Sequence, residues 1–409
     1  MENKFLDSTR YINLENKKIN KDLPELYSNK ENCCGCGACY SICPVSAIIM
    51  QEDGEGFLYP SVYADKCIGC YKCLKVCSFN PKKFSDKADD ESDIYLDETK
   101  VYASRIKNQE ILAKSSSGGM FTAFTDYLID NNYAVVCSIM DYENKTLEFS
   151  IVNDKNKRDE ARGSKYFQSD SKNIFSESIA YLKADANHRI AFVGTGCQTE
   201  AFRKYIYMHN LNDRVLLIDI ICHGVPSKKI VMEYIKYLTG GTGEFDYITY
   251  KDKRNGWSKP VSLIKYDNKE YKLNKDICYN ANTIRLSCNV CPYTKTKRKS
   301  DITIGDFWGI EKQHPEFYSE TGNSLVLIHS KKGMELFNRI KPDIEYVESS
   351  VDKCLQPNLK KPTMRSKDRA KFWNDYNSKS FSYVVKKYEM IGLYKKIRNK
   401  AKKIIRGKK

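Results

Sequence analysis

The sequence predicts an α+β protein with three parts: a small cysteine-rich domain, a mixed α/β core and a helical, basic C-terminal tail. Three observations support this fold class. Cysteines are concentrated near the N-terminus, apolar strands alternate with amphipathic helices in the middle of the chain, and lysines at helical spacing dominate its end. With 409 residues, the chain is long enough for about two or three domains.

The cysteine-rich segment repeats one spacing twice. The two runs are Cys33-x2-Cys36-x2-Cys39-x3-Cys43 and Cys67-x2-Cys70-x2-Cys73-x3-Cys77. Three closely spaced thiolates can hold three corners of a [4Fe-4S] cubane, and the fourth cysteine of each run then binds the other cluster. The spacing therefore predicts two metal sites: site 1, formed by Cys33, Cys36, Cys39 and Cys77, and site 2, formed by Cys43, Cys67, Cys70 and Cys73.

Residues 29–82 resemble a bacterial two-cluster ferredoxin, except that Ser78 stands where the second run would usually have proline. A pair of four-cysteine zinc sites is the alternative. Zinc needs only two Cys-x2-Cys pairs per site, so it does not explain the third and fourth cysteine of each run. A disulfide framework fits less well, because the chain is long and shows no secretory segment.

Composition limits the function classes further. No apolar run is long enough to span a bilayer and no signal segment begins the chain, so we expect a cytoplasmic protein whose 16 cysteines stay reduced. The formal net charge is +16, but two cluster sites would lower it. The sequence has no helix-turn-helix or zinc-finger pattern, and its charge is not interleaved with aromatic residues in one patch. Nucleic-acid binding is therefore not predicted.

The middle of the chain contains a predicted parallel strand-helix-strand unit. Residues 189–193 and 215–221 read as buried strands, and the loops that follow them carry Cys197 and Cys222. Both loops should lie at the carboxyl edge of one sheet, where open α/β sheets bind ligands. The loop at Gly194 is neither a dinucleotide fingerprint nor a P-loop, because Thr199 replaces the third glycine and no Gly-Lys-Ser/Thr follows.

A second candidate binding segment precedes a predicted helix. Ser115-Ser116-Ser117-Gly118-Gly119 leads into apolar residues at helical spacing from Met120 onward. Hydroxyls and glycines at a helix start predict a capped N-terminus with bare N–H groups, which suits a phosphate or pyrophosphate. An ordinary N-cap is the alternative.

Six motifs between residues 98 and 345 together resemble the family of coenzyme F420 hydrogenase and dehydrogenase beta subunits. They are Ser115-Ser-Ser-Gly-Gly-Met-Phe121, Gly163-Ser-Lys-Tyr166, Gly194-Thr-Gly-Cys-Gln198, Cys222-His-Gly-Val-Pro226, Cys288-x2-Cys291 and Asp301-Ile-Thr-Ile-Gly-Asp-Phe-Trp308. A preceding two-cluster ferredoxin domain is a common fusion in that family. The resemblance implies a mixed α/β flavin-binding core and a flavoprotein that carries FAD and iron–sulfur centres.

The resemblance also implies which residues bind the flavin. Ser116, Ser117, Gly118 and Gly119 would face the FAD phosphates, Gly163, Ser164, Lys165 and Tyr166 would lie along the flavin, and Thr195 would belong to the same site. A flavin accepts a hydride in one step and releases electrons singly, which suits a protein that also carries a chain of clusters.

Four further cysteines, which we call site 3, could hold a third [4Fe-4S] cluster: Cys197, Cys222, Cys288 and Cys291. Buried free thiols or a zinc site are the alternatives. The remaining cysteines, Cys34, Cys137, Cys278 and Cys354, are predicted to be structural.

His223 and Asp306 are candidate catalytic residues for proton transfer beside the flavin, because an imidazole titrates in a useful pH range. The alternatives are a hydrogen bond from His223 to a ligand cysteine and a turn cap at Asp306. In the tail, apolar residues at 397, 401, 404 and 405 form a stripe among lysines. This stripe predicts a helix that contacts an anionic membrane surface or an acidic partner, with a solvated helix as the alternative.

The predicted domains are an N-terminal extension (1–28), a two-cluster domain (29–82), an acidic linker (83–97), two family domains (98–180 and 181–345) and the basic tail (346–409). The predicted function is an FAD-containing iron–sulfur oxidoreductase that connects a ferredoxin-like carrier to an organic substrate. The alternatives are a relay subunit without its own substrate and a structural metal protein. Bacterial proteins of this architecture often occur beside polysaccharide genes, so the resemblance also implies a link to polysaccharide biosynthesis.

Overall fold

The structure is a computed structural model that describes residues 23–79 and 94–406, with the backbone alone at 392–393, 395–396 and 398–406. Most of the predicted acidic linker and most of the N-terminal extension lie outside the described residues. Within the described ranges the strands form three sheets, of two, three and eight strands. No helix in these ranges is long and apolar enough to cross a membrane.

The cysteine-rich domain folds around a β-hairpin and two short helices. Helix α1 (Ala38–Ile42) precedes strands β1 (Ile48–Glu52) and β2 (Leu58–Val62), and helix α2 (Lys72–Lys75) follows them. The strands are antiparallel, with Ile48 opposite Val62. Gly37 begins α1 with φ of 74°, a left-handed conformation that favours glycine. The domain is not separate from the core, because Ile42 and Val76 belong to the same apolar cluster as core residues Phe175 and Phe202.

The core is one mixed sheet in the order β13-β3-β12-β11-β7-β6-β4-β5. Its strands are β3 (Tyr95–Ile106), β4 (Tyr133–Asp141), β5 (Thr146–Val152), β6 (Arg189–Thr195), β7 (Val215–Ile220), β11 (Ile302–Asp306), β12 (Ser324–Ser330) and β13 (Ile344–Ser349). Strands β4, β6, β7 and β11 are parallel neighbours, and the other pairs are antiparallel. The sheet therefore contains the predicted parallel unit, and it draws strands from both predicted family domains.

Both faces of the sheet are buried. Along β6, Ile190 and Phe192 pack into one apolar cluster, while Ala191 and Val193 pack into the cluster on the opposite face. This two-residue alternation explains why the strand reads as a continuous apolar run in the sequence.

A small antiparallel sheet lies beside the core sheet. Its strands are β8 (Tyr247–Asp252), β9 (Val261–Tyr266) and β10 (Lys269–Lys272), in the order β10-β9-β8. Asp267 and Asn268 join β9 to β10 with φ of 50° and 58°. A two-residue hairpin turn with positive φ at both positions matches the right-handed twist of the strands, and Asp and Asn tolerate it well.

The structure differs from the sequence prediction at both ends of the core. Strand β3 begins at Tyr95, so it includes residues 95–97 of the predicted linker. Tyr95 pairs with Ser330 of β12 at the start of this stretch. Residues 346–349 lie in β13 rather than in the tail. The tail itself is helical as predicted, but it is not detached, because Phe372 and Val384 are buried in a core cluster.

The remaining helices lie between and around these strands. They are α3 (Gln109–Lys114), α4 (Met120–Asp130), α5 (Lys155–Asp159), α6 (Ile174–Ala184), α7 (Gly196–Tyr207), α8 (Lys228–Leu238), α9 (Lys275–Cys278), α10 (Ile310–Gln313), α11 (Lys331–Ile340), α12 (Val351–Cys354), α13 (Pro357–Lys360), α14 (Arg369–Ser378) and α15 (Phe381–Arg406).

Candidate functional site

A cavity of about 250 Å³, which we call the large cavity, opens at the carboxyl ends of β6, β7 and β11. Residues 115–117, 163–166 and 222–225 line it together with Lys251 and Asp306. Of the predicted flavin-binding residues, these line it: Ser116, Ser117, Gly119, Gly163, Ser164, Lys165, Tyr166 and Thr195. Segments far apart in the sequence thus meet at one sheet edge, as the parallel topology requires.

Gly118 lies behind the cavity wall rather than on it. Its N–H donates to Ser324 Oγ at 2.9 Å. A Cβ at this position would clash with the carbonyl oxygen of Ser104 and the amide nitrogen of Ser324. Glycine is therefore needed at 118, because the chain passes close to strands β3 and β12 at this position. We assign Gly118 no direct ligand contact.

The start of α4 differs from the predicted hydroxyl cap. Gly119 is the N-cap residue, with φ of 80°, and no described side chain caps the helix. The serine hydroxyls form hydrogen bonds elsewhere. Ser115 donates to Ile111 O and Ser117 donates to Asn323 O. The Ser116 hydroxyl accepts a hydrogen bond from the Ser164 N–H at 2.7 Å. The helix start therefore borders the cavity without a side-chain cap, and such N–H groups favour an anion.

Lys165 supplies a partly buried cationic group at the cavity. Its Nζ donates to Ala161 O at 2.7 Å and to Gly163 O at 3.3 Å. Burial lowers the pKa of Lys165 to about 8. Its charge therefore changes within the pH range of ordinary assays.

Flat aromatic surfaces form part of the cavity wall. Tyr166 stacks on Tyr279 with ring centroids 4.7 Å apart and an interplanar angle of 9°. Trp308 stacks on the buried Trp257, 4.9 Å away. Paired rings of this kind are rigid and suit a planar ligand.

The two candidate catalytic residues have different surroundings. His223 lines the large cavity, and burial, followed by the positive charge of Lys251, lowers its pKa. Asp306 is buried, forms an ion pair with Lys251 and accepts a hydrogen bond from Trp257 Nε1 at 2.9 Å. It is therefore held as a counter-ion, not as a turn cap.

Sequence reasoning missed Lys251, which lies on β8 in the small sheet. Burial disfavours its charge, but Asp306 and Tyr166 outweigh burial and raise its pKa. A lysine on a hairpin strand gives no sequence signal for this pairing, because Asp306 lies on another sheet.

The cysteines of site 3 come together beside the large cavity. Cys197, Cys222, Cys288 and Cys291 line one small cavity of about 40 Å³. Main-chain N–H groups point at two of the sulfurs: Gly224 N lies 3.4 Å from Cys222 Sγ, and Val225 N lies 3.4 Å from Cys288 Sγ. Such N–H···S bonds are typical of iron–sulfur sites, so the residues present fit a cluster.

Cys34 also lines the site 3 cavity, although the sequence predicted only a structural role for it. Its sulfur lies 3.5 Å from Ser78 Oγ, and the nearby thiols of Cys197 and Cys36 lower its pKa. Cys34 therefore lies between site 1 and site 3. Cys278 and Cys354 are buried in apolar clusters, as expected for structural cysteines, whereas the buried Cys137 also borders the large cavity.

The four cysteines of site 1 lie close to one another. Burial, together with the neighbouring thiols of Cys33 and Cys77, raises the pKa of Cys39. Burial likewise raises the pKa of Cys33 to about 12, and the Gly35 N–H points at its sulfur from 3.4 Å. Burial alone thus opposes thiolates here, and bound iron would supply the positive charge that favours them.

Site 2 contains the predicted combination of one distant and three local cysteines. Cys43, Cys67, Cys70 and Cys73 line one cavity, and the Ala47 N–H lies 3.2 Å from Cys43 Sγ. Among the residues that the structure describes, no group of three or more His, Cys, Asp or Glu side chains could hold a single metal ion. The thiolates of a [4Fe-4S] centre bind different irons and so lie further apart than the ligands of one ion.

Arg285 joins the cysteine-rich domain to the core, and nothing in the sequence pointed to it. This buried side chain donates to Cys33 O at 2.9 Å, Leu58 O at 2.8 Å and Gln168 Oε1 at 3.0 Å. Its Nη2 lies 3.8 Å from Cys33 Sγ, and the side chain also lines the site 3 cavity. One guanidinium group therefore contacts site 1 and borders site 3.

Two segments of the chain match models of known protein families. Residues 187–353 match the family model for the C terminus of the coenzyme F420 hydrogenase/dehydrogenase beta subunit, and residues 32–81 match the 4Fe-4S dicluster domain. The F subunit of the F(420)H(2) dehydrogenase of Methanosarcina mazei is 24% identical over 334 residues, which cover 77% of this chain and 84% of the relative.

Two further similarities are more distant or partial. The coenzyme F420-dependent sulfite reductase of Methanocaldococcus jannaschii is 25% identical over 346 residues, covering 80% of this chain and 49% of the relative. A chain of the F420-reducing [NiFe] hydrogenase complex from Methanosarcina barkeri is similar in structure, with 17% identity and a TM-score of 0.46. The aligned region covers 65% of the present chain and 86% of the hydrogenase chain. The two family-model matches show a chain related to the coenzyme F420 hydrogenase/dehydrogenase beta subunits, in which a segment that matches the 4Fe-4S dicluster domain precedes a segment that matches the C terminus of those subunits.

Proposed function

We propose that this protein is an oxidoreductase that moves electrons between a one-electron carrier and an organic substrate, with [4Fe-4S] clusters at sites 1, 2 and 3 and FAD in the large cavity. When bound, FAD would supply the exchange between single electrons and a hydride. The curated relatives carry coenzyme F420 in their names, so F420 is the first substrate to assay.

One observation carries this proposal: residues 222–225 line both the site 3 cavity and the large cavity. Cys222 thus lies between the other thiols of site 3 and the large cavity. On the other side of site 3, Arg285 and Cys34 border its cavity and contact site 1. Burial raises the pKa of Cys39 in site 1, and the charge of the nearby Cys73 in site 2 contributes to this rise. Adjacent contacts thus connect site 2, site 1, site 3 and the large cavity in that order.

The residues of the large cavity fit a flavin dinucleotide. The N-terminus of α4, without a side-chain cap, and the Lys165 ammonium group would hold the pyrophosphate. The stacked rings of Tyr166 and Tyr279 would bound a planar ring system. The Lys251–Asp306 pair would fix the local charge, and His223 would hold or release a proton at the cavity wall.

Anaerobic purification followed by iron, sulfide and flavin quantitation on one sample tests the proposal. We expect about twelve irons and one FAD per chain. About eight irons with FAD would remove the cluster at site 3. Iron without flavin would contradict the enzyme and leave a relay subunit that docks on a separate catalytic protein.

The low pKa of Lys165 predicts how FAD binding depends on pH. The ammonium group is charged below about pH 8 and neutral above it, so its attraction for a pyrophosphate decreases as the pH rises. We expect FAD affinity to fall by about threefold to tenfold between about pH 7 and pH 9. Fluorescence titration of the apoprotein measures this dependence, and Lys165→Met should flatten it. An equal pH slope in both proteins would show that another group is responsible.

A further inference from the structure

Site 2 is where the series of thiol sets reaches the protein surface. Cys70 is exposed, and four large apolar side chains near site 2 are also exposed: Val45 (38%), Tyr63 (41%), Ile68 (52%) and Tyr71 (39%). Val45, Ile68 and Tyr71 line the same small cavity as the site 2 thiols. We call these four side chains and Cys70 the site 2 surface.

Lysines surround the site 2 surface. Between Val62 and Cys77 the chain carries Lys66, Lys72 and Lys75 against Asp65 alone, so three positive charges and one negative charge leave +2. Lys66 Nζ lies 5.1 Å from the ring centroid of Tyr63, and Lys72 lines the site 2 cavity.

The adjoining part of the core is also basic. His209, just after α7, lies near Lys183 and Lys72; burial and then these two charges lower its pKa. Lys204, on α7, donates to Cys77 O at 2.9 Å. Positive charge therefore extends from the cysteine-rich domain onto the neighbouring helices.

An exposed apolar centre with a charged rim is the usual anatomy of a transient protein interface. A membrane surface is acidic but accepts no electrons, and a second copy of this chain would bring like charge against the lysines. We propose that the site 2 surface docks a small acidic iron–sulfur carrier protein. This inference rests on the proposed function and adds to it the place and the charge of the partner.

The exchange at this surface is a single-electron transfer. In each encounter the reduced carrier would give up one electron, and the site 2 thiols would hold the iron–sulfur centre that accepts it, with no bond made or broken and no proton moved. Lysines near the contact raise the encounter rate with an acidic partner, and this effect decreases as salt screens the charges.

Anaerobic stopped-flow measurements with a reduced acidic bacterial two-cluster ferredoxin as the probe test the proposal. The test variant is Lys66→Glu/Lys72→Glu. The matched control is Lys312→Glu/Lys353→Glu, two exposed positions beside the apolar cluster of Ile310 and Cys354, a different cluster from the one that contains Cys73. We expect the second-order rate constant of the test variant to fall at least about tenfold at low salt and to approach the wild-type value at high salt, while the control stays unchanged.

Three controls separate the outcomes. Unchanged iron content shows that the test variant is folded and loaded. If dithionite fails to reduce the wild-type clusters, the proposed function fails rather than the docking surface. If dithionite reduces them but the ferredoxin rate is the same in test variant and wild type, or falls equally in both variants, the docking proposal is wrong. It is also wrong if charge reversal abolishes binding to phosphatidylglycerol vesicles, or self-association, and leaves the ferredoxin rate unchanged.

Discussion

Replacing Cys222 with serine is expected to remove about four irons per chain and to stop electrons from sites 1 and 2 from reaching the large cavity. Cys222 lies on the segment that lines both the site 3 cavity and the large cavity. A serine hydroxyl is a poor substitute for a thiolate ligand, so the cluster should be lost or become labile. Iron and sulfide analysis should give about eight irons instead of about twelve.

Electron transfer provides the second measurement on Cys222→Ser. With reduced ferredoxin as the donor, bleaching of the flavin absorbance should slow by at least about a hundredfold, because the cluster at site 3 that would relay the electrons is missing. The cysteines of sites 1 and 2 are untouched, so their EPR signals after reduction should remain. Loss of all clusters would instead indicate general unfolding.

Cys34→Ser is the matched control, since Cys34 lines the same cavity as the four predicted ligands. We expect this variant to keep about twelve irons, because four other thiols remain for the cluster. The opposite pattern is also informative. If Cys34→Ser loses four irons while Cys197→Ser keeps them all, Cys34 is the ligand and Cys197 is a neighbouring thiol that does not bind the cluster.

Local patterns in the sequence predicted the parts of the fold that depend on nearby residues. The repeated cysteine spacing indicates the two-cluster domain, and the apolar runs before Cys197 and Cys222 indicate β6 and β7. Parallel strands end at the same edge, so the proximity of these two cysteines followed from topology alone. The match to the 4Fe-4S dicluster domain and to the family C terminus confirms the resemblance.

Contacts between distant segments could not be predicted in the same way. Arg285 bonds to Cys33, which precedes it by 252 residues, and Lys251 pairs with Asp306 across two sheets. Each of these charged residues looks like an ordinary surface residue until the fold buries it. The full length of β3 was also missed, because residues 95–100 have no apolar period and only Tyr95 and Lys100 among them pair with β12.

Replacing Arg285 with methionine is expected to destabilise the protein and to lower the reduction potential of the centre at site 1. Methionine keeps most of the volume but removes the hydrogen bonds to Cys33 O, Leu58 O and Gln168 Oε1. Each buried acceptor left unpaired costs about 1–3 kcal/mol, so for three acceptors we expect a loss of at least about 3 kcal/mol in unfolding free energy. Thermal or denaturant unfolding of the loaded protein measures this loss.

The change in potential has a separate cause. The guanidinium group lies 3.8 Å from Cys33 Sγ, and its positive charge stabilises the reduced, more negative state of a bound centre. Removing that charge should shift the midpoint potential of site 1 to a more negative value and leave the exposed site 2 nearly unchanged. EPR-monitored potentiometry resolves the two centres. Arg285→Lys should give a smaller potential shift than Arg285→Met but should also lose the forked hydrogen bonds, because lysine carries the charge without the planar donor geometry.

Arg254→Met is the control for Arg285→Met. Arg254 is exposed, with salt bridges to Asp252 and Glu270 on the small sheet. Exposed ion pairs contribute little, so this variant should lose less than about 1 kcal/mol and leave both potentials unchanged. Equal losses in the two variants would mean that Arg285 does not join the cysteine-rich domain to the core as its contacts indicate. An unchanged midpoint potential at site 1 in Arg285→Met would show that Arg285 stabilises the fold without affecting the reduction potential of the centre at site 1.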